Sequence, residues 1–227
     1  MSKNWRHAYR SFYYETIPDD LPDIVLDPTK TALLVIDLQV CYLPVTPDTD
    51  LAEWNRWAPF RERLAGIVLP NTQRLLAKFR KLSSEIIFAR IACLTENGRD
   101  RSLSHARPGF NNLLLPKDSA DSRILPQVAP LPEEIVIIKT TDSALTGTNL
   151  RLLLANLAIR DVVVCGIFTD QCVASTVRSL ADESFNVILV DDACAAATAE
   201  LHRQELTIIN NIYCQVLTCE ETLTAIS

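Results

Sequence analysis

Six short apolar runs recur along the chain, separated by stretches of helical spacing or by long polar connections. TALLVI (Thr31–Ile36), EIIFARI (Glu85–Ile91), IVII (Ile135–Ile138), VVVC (Val162–Cys165), Asn186–Val190 and Tyr213–Leu217 read as strands. Unbroken apolar runs of this kind suit strands covered on both faces. Between them, Leu64, Val68, Leu75, Leu76, Phe79 and Leu82 mark a helix over Arg61–Ser83 that Pro70 should kink or restart. Leu150, Leu153, Leu154 and Leu157 mark a second helix capped by Thr148, and Val173, Val177, Leu180 and Ala181 a third, started by Thr169 or Asp170. A helix over roughly Glu200–Asn211, then a short terminal one, completes the alternation. Strands alternating with helices imply right-handed crossovers and a three-layer α/β fold around a mainly parallel sheet.

Two segments interrupt this rhythm. Cys41–Phe60 reads as a loop, with Pro44, Pro47 and Pro59, whose Tyr42, Trp54, Trp57 and Phe60 could wall a pocket. Cys93–Pro132 is long and irregular, and carries Arg99, Arg101, His105 and Arg107; together with Arg90 on the second strand, these arginines offer charge for a substrate carboxylate. No composition break divides the rest, so the chain divides into an N-terminal arm (residues 1–30) and one domain (residues 31–227). The arm is aromatic (Trp5, Tyr9, Phe12, Tyr13, Tyr14), which suits packing on its own domain or on a neighbouring subunit.

Composition narrows the partners. A chain of 227 residues with a formal charge of -6 is not a general binder of nucleic acid or of anionic membranes. No apolar run reaches membrane-spanning length and the polar N-terminus lacks a secretory pattern. Seven cysteines without CxxC spacing speak against a disulfide framework and for a reducing cytoplasm. With five glycines the chain forms no GxGxxG, P-loop or GxSxG motif, so no nucleotide cofactor is expected. His7, His105 and His202 are far apart and read as surface or loop residues, and no metal site is expected.

The chemistry concentrates at strand ends. Asp37 ends the first strand and Lys139 the third, while Cys172 follows the turn after VVVC, at the start of a helix. In a parallel sheet all three ends lie on the edge where ligands bind. A helix N-terminus lowers a thiol pKa, so Cys172 is expected to be a nucleophilic thiolate. A buried cysteine acting as a small hydrophobe is the plainer alternative. Asp37 could move the proton and Lys139 hold the carboxylate, an arrangement suited to amide cleavage through a thioester.

The segments LLVIDLQ, IIKTTDSALTGTNLRLLL and VVVCGIFTDQCVASTVRSLA, in that order, resemble the isochorismatase-like cysteine hydrolases. That group includes nicotinamidases and N-carbamoylsarcosine, biuret and ureidoacrylate hydrolases. The resemblance implies an Asp37–Lys139–Cys172 triad and a six-stranded parallel sheet of order 3-2-1-4-5-6. It also implies an oxyanion hole from the N–H groups of Phe168 and Cys172, a cis peptide joining Ile167 to Phe168, and a homodimer or homotetramer. Gln39, Tyr42, Arg90 and Thr169 stand as candidate substrate-pocket residues beside it. RIACLTENGRD lacks the Asp-x-His element of metal-bearing nicotinamidases, and Cys172 favours C–N cleavage over vinyl-ether hydrolysis. The reading is therefore a metal-independent amidohydrolase of a small amide, ureido or carbamoyl compound. A vinyl-ether hydrolase and a catalytically silent, redox-sensing thiol protein are the alternatives.

Overall fold

A computed structural model of the protein describes residues 9–17, 22–44, 50–109 and 112–227. The arm residue Trp5, His7 and Pro47 of the first interrupting segment lie outside the described residues.

The apolar runs become six strands: β1 (Thr31–Ile36), β2 (Glu85–Ile91), β3 (Ile135–Lys139), β4 (Asp161–Ile167), β5 (Asn186–Ala195) and β6 (Gln215–Leu217). They form one sheet of order β3-β2-β1-β4-β5-β6 in which every pairing is parallel. β1 and β4 are buried along their whole length, as expected for central strands sandwiched between helical layers. β5 runs on through Ala193–Ala195, past the apolar run that ends at Val190. Burial between β4 and the flanking helices outweighs the weak strand preference of alanine there.

Eight α-helices flank the sheet among the described residues: α1 (Leu51–Arg56), α2 (Ala58–Arg63), α3 (Leu69–Leu82), α4 (Leu103–Ala106), α5 (Leu150–Asn156), α6 (Ala174–Asp182), α7 (Ala199–Ile209) and α8 (Cys219–Ala225). Pro70 does restart its helix: a π-helical turn over Leu64–Val68 separates α2 from α3, with Pro70 in the first turn of α3. A proline cannot donate an N–H but needs none at that position.

Residues 51–56 and 58–60, expected as loop, are helical: Pro59 lies in the first turn of α2, and Asp50 caps α1 by accepting from Ala52 and Glu53 N–H. The described part of the arm docks on its own domain: Tyr9 donates to Asp191 Oδ2 at 2.7 Å, and Leu26 bridges to Ile226. Phe12 and Tyr13 remain exposed.

Candidate active site

Close approach of two backbones shapes the site. Gly166 near the end of β4 pairs with Ile36 at the end of β1, at the point where the strand order reverses direction. A Cβ at Gly166 would lie 2.0 Å from Ile36 O, and its φ of 126° is itself reserved for glycine. The chain beyond β1 turns at once, with Asp37 at φ 52° and its N–H donated to Ala89 O at 2.9 Å. This left-handed turn aims the Asp37 side chain across β2.

Lys139 reaches Asp37 from the far side of β2. Two strand spacings separate β3 from β1, about 10 Å, which only a long side chain spans. Lys139 Nζ sits 2.7 Å from Asp37 Oδ2, and donates to Cys172 Sγ and to Thr141 O, each at 3.2 Å. Asp37 Oδ1 accepts from Ile91 N–H at 2.7 Å. Asp37, Lys139 and Cys172 are 2%, 0% and 6% exposed, so the cluster lies at the floor of the sheet edge, away from bulk water.

Burial sets the protonation states. It pushes the Asp37 carboxyl upward, against the lowering influence of Lys139. Burial alone would lower Lys139, but the charge of Asp37 and the hydrogen bonds to Asp37 and Cys172 outweigh it and hold the ammonium protonated. The Cys172 thiol is pushed well above its ordinary value by burial and then by the Asp37 charge, which exceed the help from Lys139. Contrary to the expected resting thiolate, burial and the facing Asp37 charge favour the protonated thiol at Cys172.

The start of the cysteine helix also differs from expectation. Thr169–Val173 is a π-helical turn that precedes α6, and neither Thr169 nor Asp170 caps it. The Ile167–Phe168 peptide is cis. Thr169 is fully buried and its Oγ1 pairs with His202 Nδ1 at 2.7 Å, so it does not reach a substrate pocket. His202 Nε2 in turn meets Asp191 Oδ1 at 2.8 Å, beside Arg63 Nη2 at 3.0 Å. Nothing in local spacing signalled this buried network, which joins Arg63 and Thr169 to the Asp191–His202 stretch.

Two further pocket candidates are corrected. Gln39 is fully buried; its Nε2 donates to Ile91 O and Ser122 O at 2.9 and 2.8 Å, and its Oε1 accepts from Ile91 N–H. It pins the loop after β1 to β2. Arg90 donates to Lys117 O and Ser122 O at 3.0 and 2.9 Å and borders a separate surface groove with Lys117 and Asp118. Arg101 likewise donates to the Gly98, His105 and Leu113 carbonyls. Buried carbonyls that need donors have claimed these groups.

Tyr42 lines a cleft of about 500 Å³ with Trp54, Trp57, Phe60 and Phe168. The Phe168 ring packs 4.9 Å from Phe60 and 5.3 Å from Tyr42, edge-on to the latter. Among the described residues no group of three or more His, Cys, Asp or Glu side chains is placed to hold a metal ion, and no helix is long and apolar enough to cross a membrane.

One neighbour of the thiol was missed. Asp142 Oδ1 lies 3.5 Å from Cys172 Sγ and 3.0 Å from Nε2 of His105, which is buried rather than on the surface. The His105 hydrogen bond, strongest of several influences, holds the Asp142 carboxyl below the usual range and outweighs its burial.

Comparison with known proteins agrees with this architecture. The isochorismatase domain model matches residues 31–221. An uncharacterized isochorismatase family protein of Escherichia coli O157:H7 is 30% identical, over 88% of this chain and 98% of its own. The ureidoacrylate amidohydrolase RutB of Rhizobium rhizogenes is 26% identical, over 78% of this chain and 75% of its own. An isochorismatase family protein structure from Burkholderia thailandensis superposes with a TM-score of 0.73 at 26% identity, covering 90% of this chain and 98% of its own. A cysteine hydrolase structure from Pseudomonas syringae pv. phaseolicola, 21% identical, shares the fold with a TM-score of 0.74 over 91% of this chain and 97% of its own. On its family match, its strand order and its sheet-edge site, this chain belongs to the isochorismatase family of hydrolases.

Proposed function

We propose that the protein is a cysteine-dependent amidohydrolase that cleaves the C–N bond of a small amide, ureido or carbamoyl compound. The observation that carries this reading is the contact of Lys139 Nζ with both Asp37 Oδ2 and Cys172 Sγ, at 2.7 and 3.2 Å. The name of the ureidoacrylate amidohydrolase relative points the same way.

Because the thiol is protonated at rest, the base must act in the same step as attack. Asp37 takes the Sγ proton as sulfur bonds to the carbonyl carbon, and the carbonyl π pair moves onto oxygen. The N–H groups of Phe168 and Cys172 are the proposed donors to that oxyanion; losing one such donor costs about 3 kcal/mol. Collapse reforms the carbonyl and breaks the C–N bond. The nitrogen leaves as ammonia or an amine with the proton held by Asp37, and a thioester remains. Asp37 then takes a proton from water, hydroxide adds to the thioester, and Cys172 departs as a thiolate that recovers the proton. Lys139 stays protonated throughout, orienting Asp37 and balancing charge on sulfur.

A raised thiol pKa gives little support to redox sensing, which needs a ready thiolate. The test is a panel of amides, ureas and a vinyl-ether acid, with ammonia release measured and the acyl adduct on Cys172 sought by mass spectrometry. A thioester on Cys172, and no ammonia from Cys172→Ala, is the expected result. Turnover of the vinyl ether alone, or full activity in Cys172→Ala, would overturn the reading.

A further inference from the structure

Asp142 has no part in the proton transfers above, yet it faces the same sulfur. Its Oδ1 is shared between His105 Nε2 at 3.0 Å and Cys172 Sγ at 3.5 Å. Its Oδ2 carries no hydrogen bond among the described residues, and the side chain is 37% exposed while that of His105 is 2% exposed. His105 thus anchors the carboxylate from behind, its other ring nitrogen 3.4 Å from Thr140 O. Asp142 is thus a partly exposed carboxylate set directly beside the buried thiol.

The cations nearby are spent. Lys139 is enclosed by Asp37, Thr141 O and the thiol. Arg61 lies 3.6 Å above the Trp54 ring and donates to Trp54 O. Arg90 and Arg101 serve carbonyls elsewhere. A substrate carboxylate entering beside Cys172 would meet Asp142, with Lys139 already paired to Asp37, whereas an N–H would find an acceptor in place.

We propose that Asp142, positioned by His105, is a specificity-determining residue that accepts a hydrogen bond from a substrate N–H beside the scissile carbonyl and repels carboxylate-bearing substrates. The substrate class is then an uncharged or cationic amide or urea with an N–H within reach of Oδ2. This rests on the reading of Cys172 as the nucleophile and narrows it.

The test compares neutral and anionic versions of one probe. Alkylation of Cys172 by iodoacetamide and by iodoacetate is followed by peptide mass spectrometry in the wild type and in Asp142→Asn. The variant is expected to shift the ratio of the two rates toward iodoacetate by about fourfold or more, the effect of one charge about 5 Å away even in water. His105→Gln, which keeps a donor toward Asp142, should hold the wild-type ratio, and His105→Ala should lose part of it. In turnover, Asp142→Asn should improve N-carbamoylglycine relative to N-carbamoylglycinamide, chiefly through KM. An alkylation ratio unchanged by Asp142→Asn overturns the inference, even if amide hydrolysis is robust. A shifted ratio with no hydrolysis of any amide upholds the inference and sinks the amidohydrolase reading instead.

Discussion

Lys139 Nζ lies 2.7 Å from Asp37 Oδ2 with both side chains closed off from water, and the two come from strands that are not neighbours in the sheet. A buried pair of this kind costs much of its attraction in desolvation, so its value lies in chemistry more than in stability. Lys139→Met should destabilise the fold by about 3–5 kcal/mol, because it strands a buried carboxylate. Adding Asp37→Asn should recover part of that stability and none of the activity, which each single change lowers by at least about a thousandfold. Urea denaturation beside turnover measures both; a double variant that regains activity would separate the pair from catalysis.

Gly166 permits the approach of β4 to β1 that sets Cys172 against Asp37. Gly166→Ala places a methyl carbon 2.0 Å from Ile36 O at a φ of 126°. The strands must part or twist, at a cost of about 3 kcal/mol or more. Stability and turnover should fall together, and a variant as stable as the wild type by urea titration would show that the sheet edge yields freely.

The Thr169–His202 contact supports the turn that carries the cysteine. Thr169 Oγ1 and His202 Nδ1 are 2.7 Å apart and buried, and the next group along, Asp191, is also held by Tyr9. Thr169→Val leaves a buried ring nitrogen without its partner, for about 1–3 kcal/mol of lost stability. Activity should drop further than stability accounts for, since Phe168 precedes the altered residue and Cys172 lies in the turn that it begins. Thermal melts paired with kcat at low temperature distinguish the two effects.

The Asp142–His105 pair makes stability depend on pH from both sides. The Asp142 hydrogen bond is the largest influence raising His105, so that part of the stability is full below the ordinary histidine value of 6.5 and fades as pH rises through the raised folded value. Asp142 is lowered, so its part is full above 3.8 and fades as pH falls through the lowered folded value. The melting temperature of Asp142→Asn should trail the wild type most between about pH 4 and pH 6.5, by about 2 °C given the solvent exposure of the carboxylate. A difference that is flat from pH 4 to pH 9 would mean the pair contributes nothing.

Strand placement and the three reactive strand ends were legible in the sequence, because burial on both faces writes itself into unbroken apolar runs and because parallel strands put their C-terminal ends on one edge. Asp37 and Lys139 followed from that rule, and Cys172 from its place at the start of the helix after β4. The roles of Gln39, Arg90 and Thr169 did not, because a polar side chain goes to whichever buried carbonyl or ring nitrogen lacks a partner, and those partners lie 52, 32 and 33 residues away. His105 and Asp142, 37 residues apart, meet only when the long connection folds back over β3. The protonation of Cys172 likewise needed the third dimension. A helix start favours a thiolate, but the depth of burial and the facing carboxylate, neither of them local, reverse that preference.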